Sequence, residues 1–461
     1  MNNRKILLIV LLVASIVTRF AFFGHPNQVV FDEVHFGKFI SAYYTHQYYF
    51  DIHPPLGKLL VAGFGKLFNF HPEYSFANIG QAFPDHAYLF LRFLPTLAGT
   101  LLPIIIFLLA LELGMAPLVA FFAGMLVVLD NALLAQSRYI LLDMFLLSFG
   151  FSSLLFYFRY KNGKGVGNLL WMALLGGLSA GVKWTGLAFL GLAGIVEFID
   201  IIRTVQFKRL INLVLYFAVI PFVVYFSIFL IHFSLLTKSG DGDAFMTPEF
   251  RATLIGTADS QNPTIHPLNV WQKFIELNKE MYTANATLTA THPYGSKWYT
   301  WPLMLRPIYY WNGTDDSAAT TSIGHPPAEE KIYLIGNPIV WWGSTVAVLY
   351  LLLTLLGNFK FSIFNFQKLK VPLILLGGYL MNFLPFIGIS RVMFLYHYFA
   401  GLIFAILMFA YVIDKLPKPR NTILIILSVA AFLFIFFAPL SYGLPLDATA
   451  FSHRVWLSSW Q

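Results

Sequence analysis

The chain has no cysteine among its 461 residues. A disulfide framework and a thiolate metal site are therefore excluded. Charge is also scarce: Asp, Glu, Lys and Arg make up 11% of the chain, against 58% apolar and 18% aromatic residues. A soluble domain usually carries about 25% charged residues. No internal sequence repeat is visible, which withholds support from a two-fold transporter design. What is present is a series of apolar runs of about 18 residues or more, long enough to cross a ~30 Å hydrocarbon layer as helices. The composition reads as an all-α polytopic membrane protein.

Eleven spans are expected, at roughly 6–23, 88–111, 117–134, 137–159, 168–182, 184–202, 210–236, 338–357, 371–387, 393–413 and 421–438. The first follows Arg4-Lys5 and is too long for a signal-peptide core, so it is read as a retained span. The net charge of +8 resides largely in short loops, so it reads as topology rather than nucleic-acid binding. Loops 159–167, 203–209, 358–370 and 414–420 each carry three Lys or Arg. With the N-terminus in the cytoplasm these loops all face inward, and eleven crossings leave the C-terminus outside.

Two long outward segments remain, 24–87 and 237–337. The second, of about 100 residues, is too long for an idle connector and reads as a small folded cap. In the first, from Pro55 to Phe70, Leu56, Leu59, Leu60, Phe64, Leu67 and Phe68 recur at helical spacing, with Lys58 and Lys66 set among them. That pattern predicts a helix lying in the membrane interface. Ahead of it, Asp51-Ile52-His53-Pro54-Pro55 has the punctuation of a helix start.

The first segment also contains Asp32 and Glu33, embedded in Val, Phe and Tyr. Adjacent acids ordinarily solvate a loop. Ionisable groups set among apolar residues beside a span are instead candidates for function.

Several stretches together resemble the protein O-mannosyltransferase family. They are Thr18-Arg19-Phe20, Phe31-Asp32-Glu33-Val34-His35-Phe36-Gly37 and Asp51-Ile52-His53-Pro54-Pro55-Leu56-Gly57-Lys58. Further on come Leu91-Arg92-Phe93 with Gly99-Thr100, Ser137-Arg138-Tyr139-Ile140-Leu141-Leu142-Asp143, and Val182-Lys183-Trp184-Thr185-Gly186. The segment from His292 to Pro302, Gly336-Asn337-Pro338 and Tyr396-His397-Tyr398 complete the series. Each is short, but their order spans nearly the whole chain.

The resemblance implies a C-type, multi-span glycosyltransferase working at the outer or lumenal face of the cell membrane. Its donor would be mannose on a polyprenyl (dolichyl-type) phosphate, and its acceptor a Ser or Thr hydroxyl of a secreted chain, with inversion at the anomeric carbon. No cofactor or metal is firmly implied; the partners are the lipid-linked donor, the acceptor polypeptide and membrane lipid. A hydroxyl is a weak nucleophile and needs a base, for which Asp32 is the candidate, with Glu33 in support. The leaving phosphate needs cations, for which Arg92, Lys183 and Arg391 are the candidates. Arg19 and Arg138 read first as snorkelling side chains. Asp143 is either catalytic support or a buried partner of Arg138. His53 and His397 are candidates to bind the donor or orient acids. Trp298 and Trp301 would form an aromatic wall for sugar or peptide, or else anchor the interface.

The chain departs from many eukaryotic relatives in that 237–337 is too short for an inserted β-trefoil, and Phe399-Ala400 stands where Leu-Pro is expected. It looks like the compact bacterial or archaeal form. Asn285-Ala286-Thr287 and Asn312-Gly313-Thr314 match the short glycosylation-acceptor pattern. Two other readings stay open: a polyprenyl-phosphate-sugar transferase acting on a lipid or envelope glycan, and a flippase of lipid-linked sugars.

Overall fold

Each expected apolar run coincides with helix in the computed structural model, which describes residues 3–313, 328–359 and 366–461. After α1 (Asn3–Phe20) come two short helices of the first polar segment, α2 (Glu33–Thr45) and α3 (Leu56–Lys66). The bundle continues with α4 (Tyr88–Glu112), α5 (Pro117–Val128), α6 (Asn131–Ser137), α7 (Asp143–Lys161), α8 (Gly167–Val182) and α9 (Leu187–Thr204). Helix α10 (Leu210–Val214) passes through a π-helical turn into α11 (Ile220–Leu235). The second polar segment holds α12 (Pro248–Arg251), α13 (Val270–Thr287) and strands β1 (Ile308–Gly313) and β2 (Glu329–Leu334). The chain continues with α14 (Pro338–Phe359), α15 (Phe366–Met381), α16 (Phe399–Asp414), α17 (Pro419–Tyr442), β3 (Pro445–Leu446) and α18 (Ala448–Ser452).

Among the described residues, seven helices are long and apolar enough to cross a membrane, or eight if the α5–α6 pair, bent by 62°, is one span. This is a multi-pass membrane protein. The expected eleven is larger because it counts α1 and α7, each with three charged residues, and the 16-residue α8. Asp130 sits at the α5–α6 bend. Asp130 caps α6 through the Leu133 amide (2.9 Å), while its second oxygen accepts the Asn337 amide (3.0 Å) and Trp341 Nε1 (2.7 Å). The expected span 137–159 also starts late: α7 begins at Asp143, and residues 138–142 form a turn outside the helices.

A three-stranded antiparallel sheet, β1-β2-β3, is absent from the all-α expectation. It joins the second polar segment to the chain after α17. Helix α3 forms as predicted, but Lys58 does not flank it at an interface. Lys58 is 1% exposed and ion-paired with Asp51. Arg19 and Arg138 do not snorkel either. Arg19 donates to the carbonyls of Val127 (2.8 Å) and Val128 (2.7 Å), and Arg138 to those of Arg19, Ala21 and Phe22. Both are buried ties between α1 and the α5–α7 region. Lys360, the Lys368 side chain and Thr314 of the second glycosylation pattern lie outside the described residues.

The two ends of the bundle differ chemically. At one end Glu112 meets Lys164 (2.6 Å) and Arg159 (3.6 Å), and Glu197 meets Lys161 (3.1 Å) and Arg209. The 19-residue α7 runs from that end to Asp143 in its first turn. At 1.5 Å per residue the ends are roughly 28 Å apart. The short 162–166 link makes α7 and α8 antiparallel neighbours, so Lys183, after α8, returns to the Asp143 end.

Candidate active site

Helix termini place the charges at this end. Asp143 opens α7 and Lys183 follows the last turn of α8, so each faces the helix-dipole end that favours its sign. Lys183 Nζ donates to Asp143 Oδ1 at 2.6 Å and lies 5.2 Å over the Tyr396 ring. Asp143 Oδ2 accepts from Gln136 Nε2 at 2.7 Å, and Gln136 Oε1 accepts the Tyr310 hydroxyl. Asp143 is therefore the partner of Lys183, not of Arg138. The turn after Lys183 requires Gly186, where a Cβ would sit 2.4 Å from the backbone of Ser179.

Asp32 and Glu33 separate completely. Glu33 is 0% exposed. It takes a two-pronged contact from Arg92, with Nε and Nη2 each 2.7 Å from a carboxylate oxygen, and accepts the amides of Val30 (2.8 Å) and Ile140 (2.9 Å). Arg92 spends its remaining donors on the carbonyls of Gly24, Pro26 and Gln28. Such a bidentate pair is strong and geometrically specific. Arg92 thus has its donors engaged inside the protein, contrary to its expected place on a donor phosphate, and Glu33 is a brace for the turn that carries Asp32.

Asp32 is half-buried at the N-cap of α2, where an aspartate side chain usually bonds the first turn. Here it makes no cap bond, and its carboxylate has no hydrogen-bond partner among the described residues. Burial pushes its pKa up to about 7; Lys183 opposes this, while Asp143 and Asp51 reinforce it. The preceding Phe31 adopts φ +47°, a costly backbone for an aromatic residue. It is held there by the Tyr310 carbonyl (3.1 Å) and by stacking on the Tyr310 ring at 4.2 Å. Tyr310 of β1 thereby touches both halves of the site.

A cavity of about 350 Å³ opens at this end, within the usual range for small-ligand sites. His53, Asp143, Lys183, Arg391 and His397 all line it, with Leu146, Leu147, Phe386 and Phe399 supplying apolar wall. Asp32 is not part of the lining, but the Phe31 ring before it packs edge-on against the lining residue Tyr396 at 6.4 Å, and the Asp32 carboxyl feels the charges of Lys183 and Asp143. His53 is held neutral by burial, reinforced by Lys183 and Arg391. Arg391 has no carboxylate partner among the described residues: it donates to the Val392 carbonyl (3.2 Å), and its Nε is buried without a partner. An apolar groove of about 540 Å³ shares Trp184 with the cavity.

Trp298 and Trp301, expected to form an aromatic wall or an interface anchor, stand outside the lining of this cavity. Trp301 is 0% exposed, donates to Ser296 Oγ (2.9 Å) and backs the His397 ring. Trp298 packs against Phe383. Gln136 and Tyr310 had no local signal in the sequence, and Tyr396 stood out only as part of the Tyr396-His397-Tyr398 stretch; the fold brings all three here.

Against known proteins, residues 9–237 match the family profile described as dolichyl-phosphate-mannose-protein mannosyltransferase. Residues 270–460 match the C-terminal four-transmembrane region of protein O-mannosyltransferase. Protein O-mannosyltransferase 1 of Drosophila pseudoobscura pseudoobscura is 35% identical over 267 residues, covering 53% of this chain and 29% of that protein. Dolichyl-phosphate-mannose–protein mannosyltransferase 1 of Saccharomyces cerevisiae is 30% identical over 275 residues, covering 56% and 34%. The chain thus spans about a third of these curated relatives' length. The fold matches a chain of the S. cerevisiae Pmt1-Pmt2 complex bound to the sugar donor with a TM-score of 0.90, at 21% identity, covering 100% of this chain and 93% of that one. The two family matches, in order and covering most of the chain, agree with this fold: the chain belongs to the protein O-mannosyltransferase family.

Proposed function

We propose that this protein transfers mannose from a polyprenyl (dolichyl-type) phosphate mannose to Ser or Thr hydroxyls of secreted or membrane polypeptides, inverting the anomeric carbon. The observation that carries this reading is the convergence of an unbonded carboxylate of raised pKa with a cation-lined, partly apolar cavity. Asp32 takes the proton of the acceptor hydroxyl as its oxygen attacks C1. The bond from C1 to the phosphate oxygen breaks, and its electron pair leaves with the lipid phosphate. Arg391 and Lys183 stabilise the charge that develops there. Neutral His53 donates a hydrogen bond without adding charge, and His397 serves the same wall. Asp143 fixes the Lys183 ammonium, with Gln136 and Tyr310 holding Asp143. The apolar groove beyond Trp184 suits a polyprenyl chain.

Purified protein should move mannose from polyprenyl-phosphate mannose onto a Ser/Thr peptide and leave other polyprenyl-phosphate sugars largely unused. Transfer to a lipid glycan with none to peptide would overturn the reading, and so would donor translocation without transfer.

The whole chain is read as one glycosyltransferase unit, with segments 24–87 and 237–337 over an extracytoplasmic site. Eleven crossings, the N-terminus inside and the C-terminus outside fit the basic end of the bundle facing the cytoplasm. Because native cysteine is absent, single cysteines report sidedness cleanly. One at position 289 should label from outside and one at 418 from inside; the reverse pattern would sink this placement.

A further inference from the structure

A second, more open groove of about 510 Å³ adjoins the cavity. Ser390 and Arg391 line both, so the groove leads into the site. On another side the His292 ring packs edge-on against Phe394 at 5.1 Å, and Phe394 against Phe31 at 6.1 Å, one residue before Asp32.

Its lining includes Lys297, Arg306, Arg391 and His292, and no carboxylate among the described residues. Arg306 is oriented by neutral groups, the carbonyls of Ser459 (3.1 Å) and Pro293 (3.0 Å), and lies 5.3 Å over the Tyr294 ring. Lys297 is exposed, with no ion pair among the described residues. Cations whose contacts are neutral leave a positive field in the groove. Along one wall Thr289, Ala290 and Thr291 are exposed, lie outside helix and strand, and make no backbone hydrogen bond among the described residues. Free main-chain donors and acceptors of this kind can pair with an extended peptide.

We infer that this groove seats the acceptor polypeptide in extended form and selects Ser/Thr sites flanked by acidic residues. The inference rests on the proposed protein-mannosylating function and adds the acceptor class. An extended chain satisfies the open backbone of 289–291, and acidic flanks match Lys297 and Arg306. Arg391 stays with the donor phosphate, at the junction of the two spaces.

Three peptides with one identical Thr core and Glu, Gln or Lys flanks test this, using the full chain in detergent. At low salt, kcat/KM should fall about 3–10-fold from Glu to Gln flanks and again to Lys flanks. The spread should shrink at high salt, as expected of rim electrostatics. Lys297→Glu should narrow or reverse the order, with the Glu-flanked peptide losing most. Equal rates for all three peptides would overturn the inference. So would a Lys297→Glu effect on all peptides alike, or one confined to the donor's KM. Binding of fluorescent peptides without donor reads the same selectivity independently. If no peptide accepts mannose but acidic flanks still bind tighter, the mannosylation reading fails and the groove assignment stands; flank-independent binding fails the groove itself.

Discussion

Asp32→Asn should bind donor normally and lose transfer by about 10²–10⁴-fold, the usual cost of removing a general base. The substitution keeps the size of the side chain and deletes no hydrogen bond, because the Asp32 carboxylate does not cap α2. Wild-type transfer should rise with pH through about 7, where Asp32 ionises, and fade below it. The sign for stability is opposite. Burial raises the folded-state pKa above its ordinary value, so the unfolded chain ionises first, and stability is lost as pH climbs from about 4 to about 7. At pH 8 Asp32→Asn should therefore melt no lower than wild type. Arg391→Gln should behave differently, weakening donor binding together with turnover. A well-folded Asp32→Asn enzyme with near-normal transfer would overturn the assignment.

Much of the fold was legible because a membrane demands apolar runs of fixed length, and every such run became helix. The count was less legible. Spans with charged ends such as α1 and α7 blur into their loops, and the α5–α6 bend depends on Asp130 bonding to Asn337 and Trp341, more than 200 residues away. The small sheet was hidden because its strands are six residues or fewer and one lies beyond α17.

At the site, residue types were more readable than their partners. His53, Asp143, Lys183, Arg391 and His397 do surround one cavity. Nearness in sequence pointed Asp143 to Arg138, but the turn between α6 and α7 sends Arg138 back to α1, and Lys183 arrives from the neighbouring antiparallel helix. Asp32 and Glu33 looked like one acidic pair. At the start of α2 consecutive side chains diverge, so one stays beside the cavity while the other enters the protein. One signal for the second did exist. Arg92, one turn inside an apolar helix, needed an internal partner, and Glu33 supplies it. Trp301 and Lys58 carried no such signal: an aromatic or a lysine beside a span reads equally as anchor or core until packing is known.

Breaking the Glu33–Arg92 pair should cost stability first and activity as a consequence. Both side chains are fully buried and bonded to each other and to five backbone groups, four within residues 24–30 and one at Ile140. Glu33→Gln or Arg92→Met alone leaves a buried group without its countercharge. Losses of this kind typically cost about 3–5 kcal/mol. The double variant should recover part of that loss, because neither charge is then stranded, and the residual coupling can be read from the cycle. Thermal unfolding in detergent would supply the four stabilities, with transfer rates normalised to folded protein. Some activity should fall even in the folded fraction, because Glu33 fixes the Val30 amide two residues before Asp32. That loss should track displacement of the turn, so Arg92→Met should reproduce it without touching the acid. If Glu33→Gln instead melts like wild type and abolishes transfer while Arg92→Met leaves transfer intact, Glu33 acts on substrate and the brace assignment is wrong.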